Sequence, residues 1–130
     1  MSTSALFAAE PIDLLIQEYM KNLEHLAQQS NPSFSEFSAE TGKRFYFEEH
    51  SHPEAPNQRN CASCHSSNPA NPGKTQVGKP IDPLQPSVNV KRFKDVREIE
   101  KWFGRNCKWV LQRECTAQEK GDFIYYLHSL

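Results

Sequence analysis

Two cysteines and a histidine stand together near the middle of the chain, in the run Cys61-Ala62-Ser63-Cys64-His65. Cys-x-x-Cys-His is the motif to which haem c is attached. One helical turn brings two such thiols to the same side, where each can form a thioether with a haem vinyl group, and the histidine that follows can reach the iron. The run therefore predicts one covalently attached haem c, held by Cys61 and Cys64, with His65 as an iron ligand.

Two different kinds of site fit the cysteine pair less well. A thioredoxin-like redox pair requires a βαβ setting, which the sequence pattern lacks. A zinc site would have to recruit Cys107 and Cys115, whose separation matches no paired zinc knuckle. A zinc-stabilised helical module therefore stays open as a minor alternative, as does coincidence in a chain with 4 Cys and 5 His.

The ligand on the other side of the iron is not an ordinary one. Class I cytochromes c take a methionine from well downstream of the haem motif, whereas Met1 and Met20, the two methionines of this chain, both precede Cys61. This arrangement argues against a His/Met electron-transfer centre. The sixth iron position is therefore either open or filled by another residue.

The remaining histidines are weak candidates for that position. His128 is the only histidine after His65, and near the end of a helix a histidine more often interacts with the helix dipole. His25, His50 and His52 precede the motif, and an exposed side chain is the ordinary interpretation of each. Bis-histidine ligation stays open as a minor alternative.

The composition predicts one small domain with an uneven charge distribution. The chain has 130 residues, of which 37% are hydrophobic, and a net charge of −1 at pH 7. Residues 74–113 hold 10 Lys and Arg against 4 Asp and Glu, so this middle segment is basic. A solvated helix face is the ordinary interpretation, and an acidic docking partner is the alternative. No nucleic-acid motif accompanies the charge.

The sequence shows neither a membrane span nor a complete signal peptide. No stretch approaches the roughly 20 apolar residues needed to cross a bilayer. Residues 1–9 lack a basic region and a long apolar core. Because attachment of haem c requires export of the chain, we expect a bacterial periplasmic protein whose signal peptide is absent from this chain or already removed.

The hydrophobic pattern predicts two helices followed by a long loop. Apolar residues recur every three or four positions over 11–29, which indicates an amphipathic helix. A second helical pattern covers 35–49, and Gly42 inside it suggests close packing between helices. Seven prolines make residues 51–89 a loop, and wrapping a cofactor would explain so long a loop.

Two further helices are predicted in the last third of the chain. Residues 95–98 and 116–119 have the pattern of capping boxes, and the helix after the second box runs to Leu130. No run of alternating strand residues stands out. The predicted fold class is therefore all-α.

Several runs of the chain resemble known haem proteins. The glycine and aromatic residues of 40–47 resemble the first core helix of a class I cytochrome c, and 116–130 resembles its terminal helix, which packs across that glycine. The proline-rich loop, the run 88–93, and the run 102–108 with Cys115 closely resemble the sphaeroides haem protein family of oxygen-binding cytochromes c. The resemblance extends from about residue 37 to residue 130.

The resemblance implies a fold and a ligand set. It implies a class I cytochrome c-like fold around one covalent haem, wrapped by the proline-rich loop. Residues 35–130 would form the monohaem domain, and residues 1–34 would form an N-terminal extension with the amphipathic helix. In that family the asparagine directly before the first of two later cysteines is the sixth haem ligand, and those cysteines form a disulfide. The corresponding residues here are Asn106, Cys107 and Cys115.

The sixth ligand that the resemblance implies, Asn106, suggests a function. An amide is a neutral, weak donor that suits ferric iron better than the softer ferrous iron, so reduction should release Asn106. We therefore expect oxygen or nitric oxide to bind at the ferrous haem, and electrons to be exchanged with a dihaem cytochrome c or a membrane cytochrome b, the partners that the resemblance implies. A simple electron carrier without a gas ligand is the alternative. Terminal oxidase or nitric oxide-detoxifying activity stays open, although the sequence identifies no catalytic residue.

Overall fold

The computed structural model describes residues 13–52 and 55–130, and this part of the chain is mainly helical. None of its helices is long and apolar enough to cross a membrane. The helices are α1 (Leu14–Ser30), α2 (Ala39–Phe47), α3 (Ala62–His65), α4 (Val96–Leu111) and α5 (Ala117–His128). Two short antiparallel strand pairs accompany them, β1 (His50–His52) with β2 (Ala55–Arg59), and β3 (Gly73–Lys74) with β4 (Pro80–Ile81).

Helix α1 forms where the sequence predicts an amphipathic helix over 11–29; residues 11 and 12 lie outside the described part of the chain. Its buried residues recur at intervals of three or four and lie on the side that packs against α5: Ile16, Tyr19, Leu23 and Ala27. Leu15 and Leu26, which the same periodicity assigns to the apolar side, are exposed. They lie at the edge of the buried stripe because that stripe runs through Ala27.

Helix α2 begins at Ala39, later than predicted, because Ser38 is its N-cap. The Ser38 hydroxyl accepts a hydrogen bond from the Thr41 backbone N–H at 3.1 Å. The Ser38 backbone N–H donates to Oδ1 of Asp122 at 2.8 Å. Asp122 is buried in α5, so this second bond fixes the start of α2 to the terminal helix.

Helices α2 and α5 cross at Gly42, as the sequence predicts. A Cβ atom at position 42 would lie 1.9 Å from the Asp122 carbonyl oxygen and 2.8 Å from the Tyr126 Cβ, so only glycine lets the two backbones approach this closely. Beside the crossing, the ring of Tyr46 lies 6.1 Å from that of Phe123 and 5.9 Å from that of Tyr126. The core of the molecule therefore centres on this crossing.

Helices α4 and α5 begin where the sequence predicts them, although their caps differ. Thr116 and Glu119 form the complete capping box of α5, in which each side chain accepts a hydrogen bond from the other residue's backbone N–H. Asp95 caps α4 alone. Glu98 accepts a hydrogen bond from the Trp102 indole at 3.1 Å and so does not complete the box.

The predicted loop of 51–89 contains elements that the sequence pattern did not reveal. Helix α3 and the two strand pairs interrupt it. Strands of two to five residues are too short to produce a recognisable alternation, and Pro80 begins β4, at the start of a strand, where proline is tolerated. The expectation of no strands is therefore wrong in this segment, while the all-α class is confirmed.

Replacing Gly42 tests the importance of the helix crossing. We expect Gly42→Ala to lower the free energy of unfolding by about 2–4 kcal/mol, because the new methyl group would overlap the Asp122 backbone. Gly104→Ala is the matched control: nothing lies within 4 Å of its Cβ position, and alanine is the better helix former by about 1 kcal/mol. Urea unfolding followed by circular dichroism compares the two, and equal stability of both variants would contradict this account.

Candidate functional site

Helix α3 presents the predicted haem-attachment residues on a single turn. The Cys61 carbonyl accepts a hydrogen bond from the His65 backbone N–H at 3.1 Å, which closes the turn. Asn60 Oδ1 accepts a hydrogen bond from the Ser63 backbone N–H at 2.7 Å and fixes where the turn begins. Cys61 and Cys64 are free thiols. The structure thus brings Cys61, Cys64 and His65 together as the sequence requires.

The two thiols of α3 are held in their neutral form. Burial raises the pKa of the Cys61 thiol to about 12. Burial also raises the pKa of Cys64, although the Arg59 guanidinium opposes this rise. Addition of each S–H group across a haem vinyl group would form the thioether bonds. Within the described ranges no group of three or more histidine, cysteine or acidic side chains is placed to hold a metal ion. The zinc alternative would recruit Cys107 and Cys115, and these two cysteines are joined to each other by a disulfide.

The His65 imidazole fits the role of an iron ligand. Burial and the Arg92 charge lower its pKa to about 4, so the ring is neutral at pH 7 and one nitrogen has a lone pair available to a metal. The Nδ1 atom is buried and has no hydrogen-bond partner among the described residues. Haem c requires an imidazole that can bind the iron and two thiols that can form thioethers, and this turn provides all three.

Two neighbouring elements fix the orientation of the α3 turn. Tyr46, which is fully buried in α2, donates a hydrogen bond from its hydroxyl to the Ser66 carbonyl at 2.6 Å. Gly73 of β3 packs so closely against the turn that a Cβ atom there would lie 1.8 Å from the Cys64 carbonyl oxygen. The attachment residues are therefore held between α2 and β3.

Asn106 lies in α4 within the stripe of residues that faces the core. The stripe has spacings of four, three and four residues, and its other members are buried or half-buried: Ile99, Phe103 and Val110. The Asn106 side chain is exposed and makes no hydrogen bond with the residues that the structure describes. A polar residue at an apolar position of a helix is a signal that the sequence itself carries, independent of any resemblance to a known family.

Cys107, the residue after Asn106, is joined to Cys115 by a disulfide with a Cα–Cα distance of 5.6 Å. Both cysteines are buried. The bridge spans the end of α4, where Gln112 has a left-handed φ of 65°, and it ends directly before Thr116, the N-cap of α5. It therefore ties the helix that carries Asn106 to the terminal helix.

The candidate iron ligands lie in different parts of the fold. His65 and Asn106 lie on different helices and share no hydrogen bond or ring contact in the part of the chain that is described. In His128, Nδ1 lies 3.0 Å from the Ile124 carbonyl oxygen and the ring packs 5.3 Å from that of Phe93. These contacts favour the ordinary role of His128, a histidine that stabilises the end of a helix.

The earlier histidines differ in burial. His25 is exposed on α1. His50, which we expected to be exposed, is half-buried because β1 packs beside α4, and its Nε2 atom is buried 3.9 Å from a Glu48 carboxylate oxygen. The side chain of His52 lies outside the described residues.

The outer side of α4 is basic. Four exposed cations follow one another at helical spacing and are called here the basic face of α4: Arg97, Lys101, Arg105 and Lys108. Trp102 is 43% exposed, and its ring lies 5.3 Å from both the Lys101 ammonium and the Arg105 guanidinium. Helical geometry places Arg97, Lys101 and Lys108 roughly opposite Asn106 on the helix.

Comparison with known proteins gives one family and two characterised relatives. A family model described as a domain of unknown function, DUF1924, matches residues 32–127. Cytochrome c'' of Methylophilus methylotrophus is 41% identical over 104 residues, which are 79% of this chain and 72% of that protein. The cytochrome c-type protein SHP of Cereibacter sphaeroides is 43% identical over 72 residues, which are 55% of this chain and 56% of that protein.

Solved structures of the same two relatives match the fold. The solution structure of cytochrome c'', whose description concerns haem-ligand detachment, has a TM-score of 0.79 at 38% identity and covers 91% of this chain and 96% of that one. Oxidised SHP, described as an oxygen-binding cytochrome c, has a TM-score of 0.74 at 33% identity and covers 85% of this chain and 93% of that one. The chain therefore belongs to the DUF1924 family, and with the fold of cytochrome c'' and the sphaeroides haem protein it is a c-type cytochrome.

Proposed function

We propose that this protein is a periplasmic monohaem cytochrome c in which Asn106 is a displaceable sixth ligand. Haem c is attached through Cys61 and Cys64, with His65 as the permanent iron ligand. When the haem is reduced, Asn106 leaves and a diatomic gas, oxygen or nitric oxide, takes its place. The protein also exchanges electrons with a partner cytochrome. Residues 35–130 form the haem domain, and residues 1–34 extend it.

The attachment residues support the first part of this proposal. The sequence contains one Cys-x-x-Cys-His run, so it provides for one covalent haem. The neutral thiols on one turn suit thioether bonds, and the neutral imidazole of His65 suits an axial bond. When bound, the haem supplies the one-electron and ligand-binding chemistry. The polypeptide supplies its attachment, its axial ligands and the shape of the pocket.

The position of Asn106 is the single observation that carries the proposal. It is the polar member of the stripe on α4 that otherwise packs into the core, and no methionine follows His65 in the sequence. A neutral amide binds ferric iron weakly and ferrous iron more weakly still, so it can hold the sixth position in one oxidation state and leave it in the other. A permanent ligand would not allow a gas to enter.

The two relatives favour the same function from their descriptions. SHP is described as an oxygen-binding cytochrome c, and cytochrome c'' as a protein with haem-ligand detachment. Detachment of a ligand and binding of a gas are two stages of one process, because the gas needs a vacated iron position. We extend both properties to this chain, with Asn106 as the ligand that detaches.

Replacing Asn106 tests the sixth ligand. We expect Asn106→Ala to convert the ferric protein from low spin to high spin, because alanine has no donor atom. The ferrous spectrum and the binding of oxygen or nitric oxide should change little, since Asn106 has already left in that state. Absorption spectra of the Soret and visible bands, with and without gas, measure both.

Asn22→Ala is a matched control for this experiment. Asn22 is exposed on α1, so its replacement removes the same amide group from a helix that carries none of the proposed ligands. We expect its spectra to equal those of the wild type in both oxidation states. If Asn106→Ala keeps the low-spin ferric spectrum, another residue holds the sixth position.

We also propose that the Cys107–Cys115 bridge steadies Asn106. The bridge begins at the residue next to Asn106 and ends at the start of α5, so it restricts how far this part of α4 can move. In the periplasm, which is oxidising, such a disulfide persists. Closing so short a loop contributes about 2–3 kcal/mol to stability through the unfolded chain.

Removing the bridge should separate its structural effect from its effect on the ligand. We expect the double variant Cys107→Ala/Cys115→Ala to lose about 2–3 kcal/mol of unfolding free energy. We also expect its ferric form, in which Asn106 holds the sixth position, to bind nitric oxide faster than the ferric wild type, because Asn106 is less constrained. Equilibrium unfolding and stopped-flow gas binding give the two quantities. Unchanged gas-binding rates in a destabilised protein would limit the bridge to a structural role.

The basic face of α4 favours a second function, electron exchange with an acidic partner. Its four cations form a continuous charged surface, and Arg97, Lys101 and Lys108 lie on the side of α4 away from Asn106. A dihaem cytochrome c or a membrane cytochrome b is the proposed partner. Without gas binding, this surface alone would make the protein a simple electron carrier.

Charge reversal tests this docking surface. We expect Arg97→Glu/Lys101→Glu to slow association with an acidic cytochrome at low salt by about tenfold or more, and to weaken its dependence on ionic strength. Lys21→Glu, an exposed change on α1, is the control and should have a much smaller effect. Stopped-flow electron transfer over a range of salt concentrations measures the rates; a salt-independent wild-type rate would rule out electrostatic docking.

A further inference from the structure

Arg59 connects the haem-attachment segment to the helix that carries Asn106. It is the last residue of β2 and stands two positions before Cys61. Its guanidinium carbon lies 3.8 Å from the centroid of the Trp109 ring, in a cation–π contact. Its Nη1 atom also donates a hydrogen bond to the Trp109 carbonyl oxygen at 3.2 Å. One side chain thus contacts both the ring and the backbone of a residue near the end of α4.

The carbonyl that Arg59 binds is one that the helix cannot satisfy itself. Helix α4 ends at Leu111, and the last four carbonyls of a helix have no partner within it. The Lys108 carbonyl accepts the Gln112 N–H at 2.9 Å, and the Trp109 carbonyl receives Arg59. A positive charge at the carboxyl end of a helix is also favourable to the helix dipole. Arg59 therefore stabilises the last turn of α4.

The last two turns of α4 are held from two sides, and Asn106 lies between the two contacts. At 3.6 residues per turn, Cys107 projects about 100° to one side of Asn106, and Trp109 projects about 60° to the other. Cys107 is tied to Cys115, while Trp109 is tied to Arg59. A displacement of these turns would move Asn106 with them.

We propose that the contact between Arg59 and Trp109 is a clamp that sets how readily Asn106 leaves the iron. The proposal rests on the proposed role of Asn106 as the sixth ligand. Arg59 is a positioning residue, because it acts on Asn106 through the backbone of α4. With the clamp in place, the position of Asn106 is fixed relative to the haem-attachment segment. Without it, the last turn of α4 is freer and the detached state of Asn106 is more populated.

The experiment measures how well an added ligand competes with Asn106 in the ferric protein. Cyanide is the probe, and its apparent dissociation constant falls as the detached state becomes more populated. We expect Arg59→Gln and Trp109→Leu each to lower that constant by about threefold to tenfold, the range for a cation–π contact with a hydrogen bond. Arg59→Lys should have a smaller effect, because it keeps the charge and loses the planar stacking.

Two comparisons decide whether Arg59 acts through Asn106. Lys21→Gln removes an exposed cation from α1 and should leave the cyanide constant unchanged. In the Asn106→Ala background, Arg59→Gln should also have no effect, because there is no ligand left to release. Pyridine haemochrome spectra confirm equal haem loading, and the Trp109 variant keeps the test valid if an Arg59 variant folds poorly.

The outcomes separate the clamp from the sixth ligand. If Asn106→Ala changes the cyanide constant but Arg59→Gln behaves like Lys21→Gln, the clamp is wrong and the sixth ligand stands. If Arg59→Gln has the same effect with and without Asn106, Arg59 acts on the pocket by another route and the proposal is overturned. If Asn106→Ala itself changes neither the constant nor the spin state, the sixth ligand is wrong and the clamp falls with it.

Discussion

The close crossing of α2 and α5 at Gly42 is the contact from which the proposed haem site is built. The two backbones meet where a single methyl group would not fit, and the buried Asp122 of α5 fixes the start of α2 beside the crossing. From α2, the Tyr46 hydroxyl holds the end of the attachment turn. From the start of α5, the disulfide at Cys115 holds α4. Both sides of the site therefore depend on one helix pair.

Different contacts hold the two sides of the proposed site. His65 lies on the turn whose two cysteines would bond covalently to the proposed haem. Residues of α2 and β3 contact that turn. Asn106 is held by the last two turns of α4, which a disulfide and the Arg59 contact restrain from either side. In the proposed site, the difference between a permanent and a releasable ligand follows from the bond between the amide and the iron, which weakens on reduction.

The sequence predicts the parts of this arrangement that depend on neighbouring residues. The attachment turn, the starts of α4 and α5 and the glycine of the helix crossing follow from spacing, capping residues and resemblance. The start of α2 is displaced because its cap depends on Asp122, a residue far along the chain. The strand pairs are too short to produce a pattern.

The approach of Arg59 to Trp109 is the clearest contact that the sequence does not predict. It joins residues from two distant segments, and it depends on the pairing of β1 with β2 and on the packing of β1 beside α4. Nothing in the local sequence around either residue fixes that packing. In contrast, the helical spacing of the α4 stripe alone shows that Asn106 is a polar residue at an otherwise apolar position.

The central claim is that Asn106 binds the iron in the oxidised protein and leaves it on reduction. Crystal structures of the haem-bound protein in the ferric and ferrous states test this most directly. We predict that the Asn106 amide lies within bonding distance of the ferric iron and is withdrawn from it in the ferrous state, with His65 bound in both. A different side chain at the sixth position, or an Asn106 that stays bound after reduction, would contradict it.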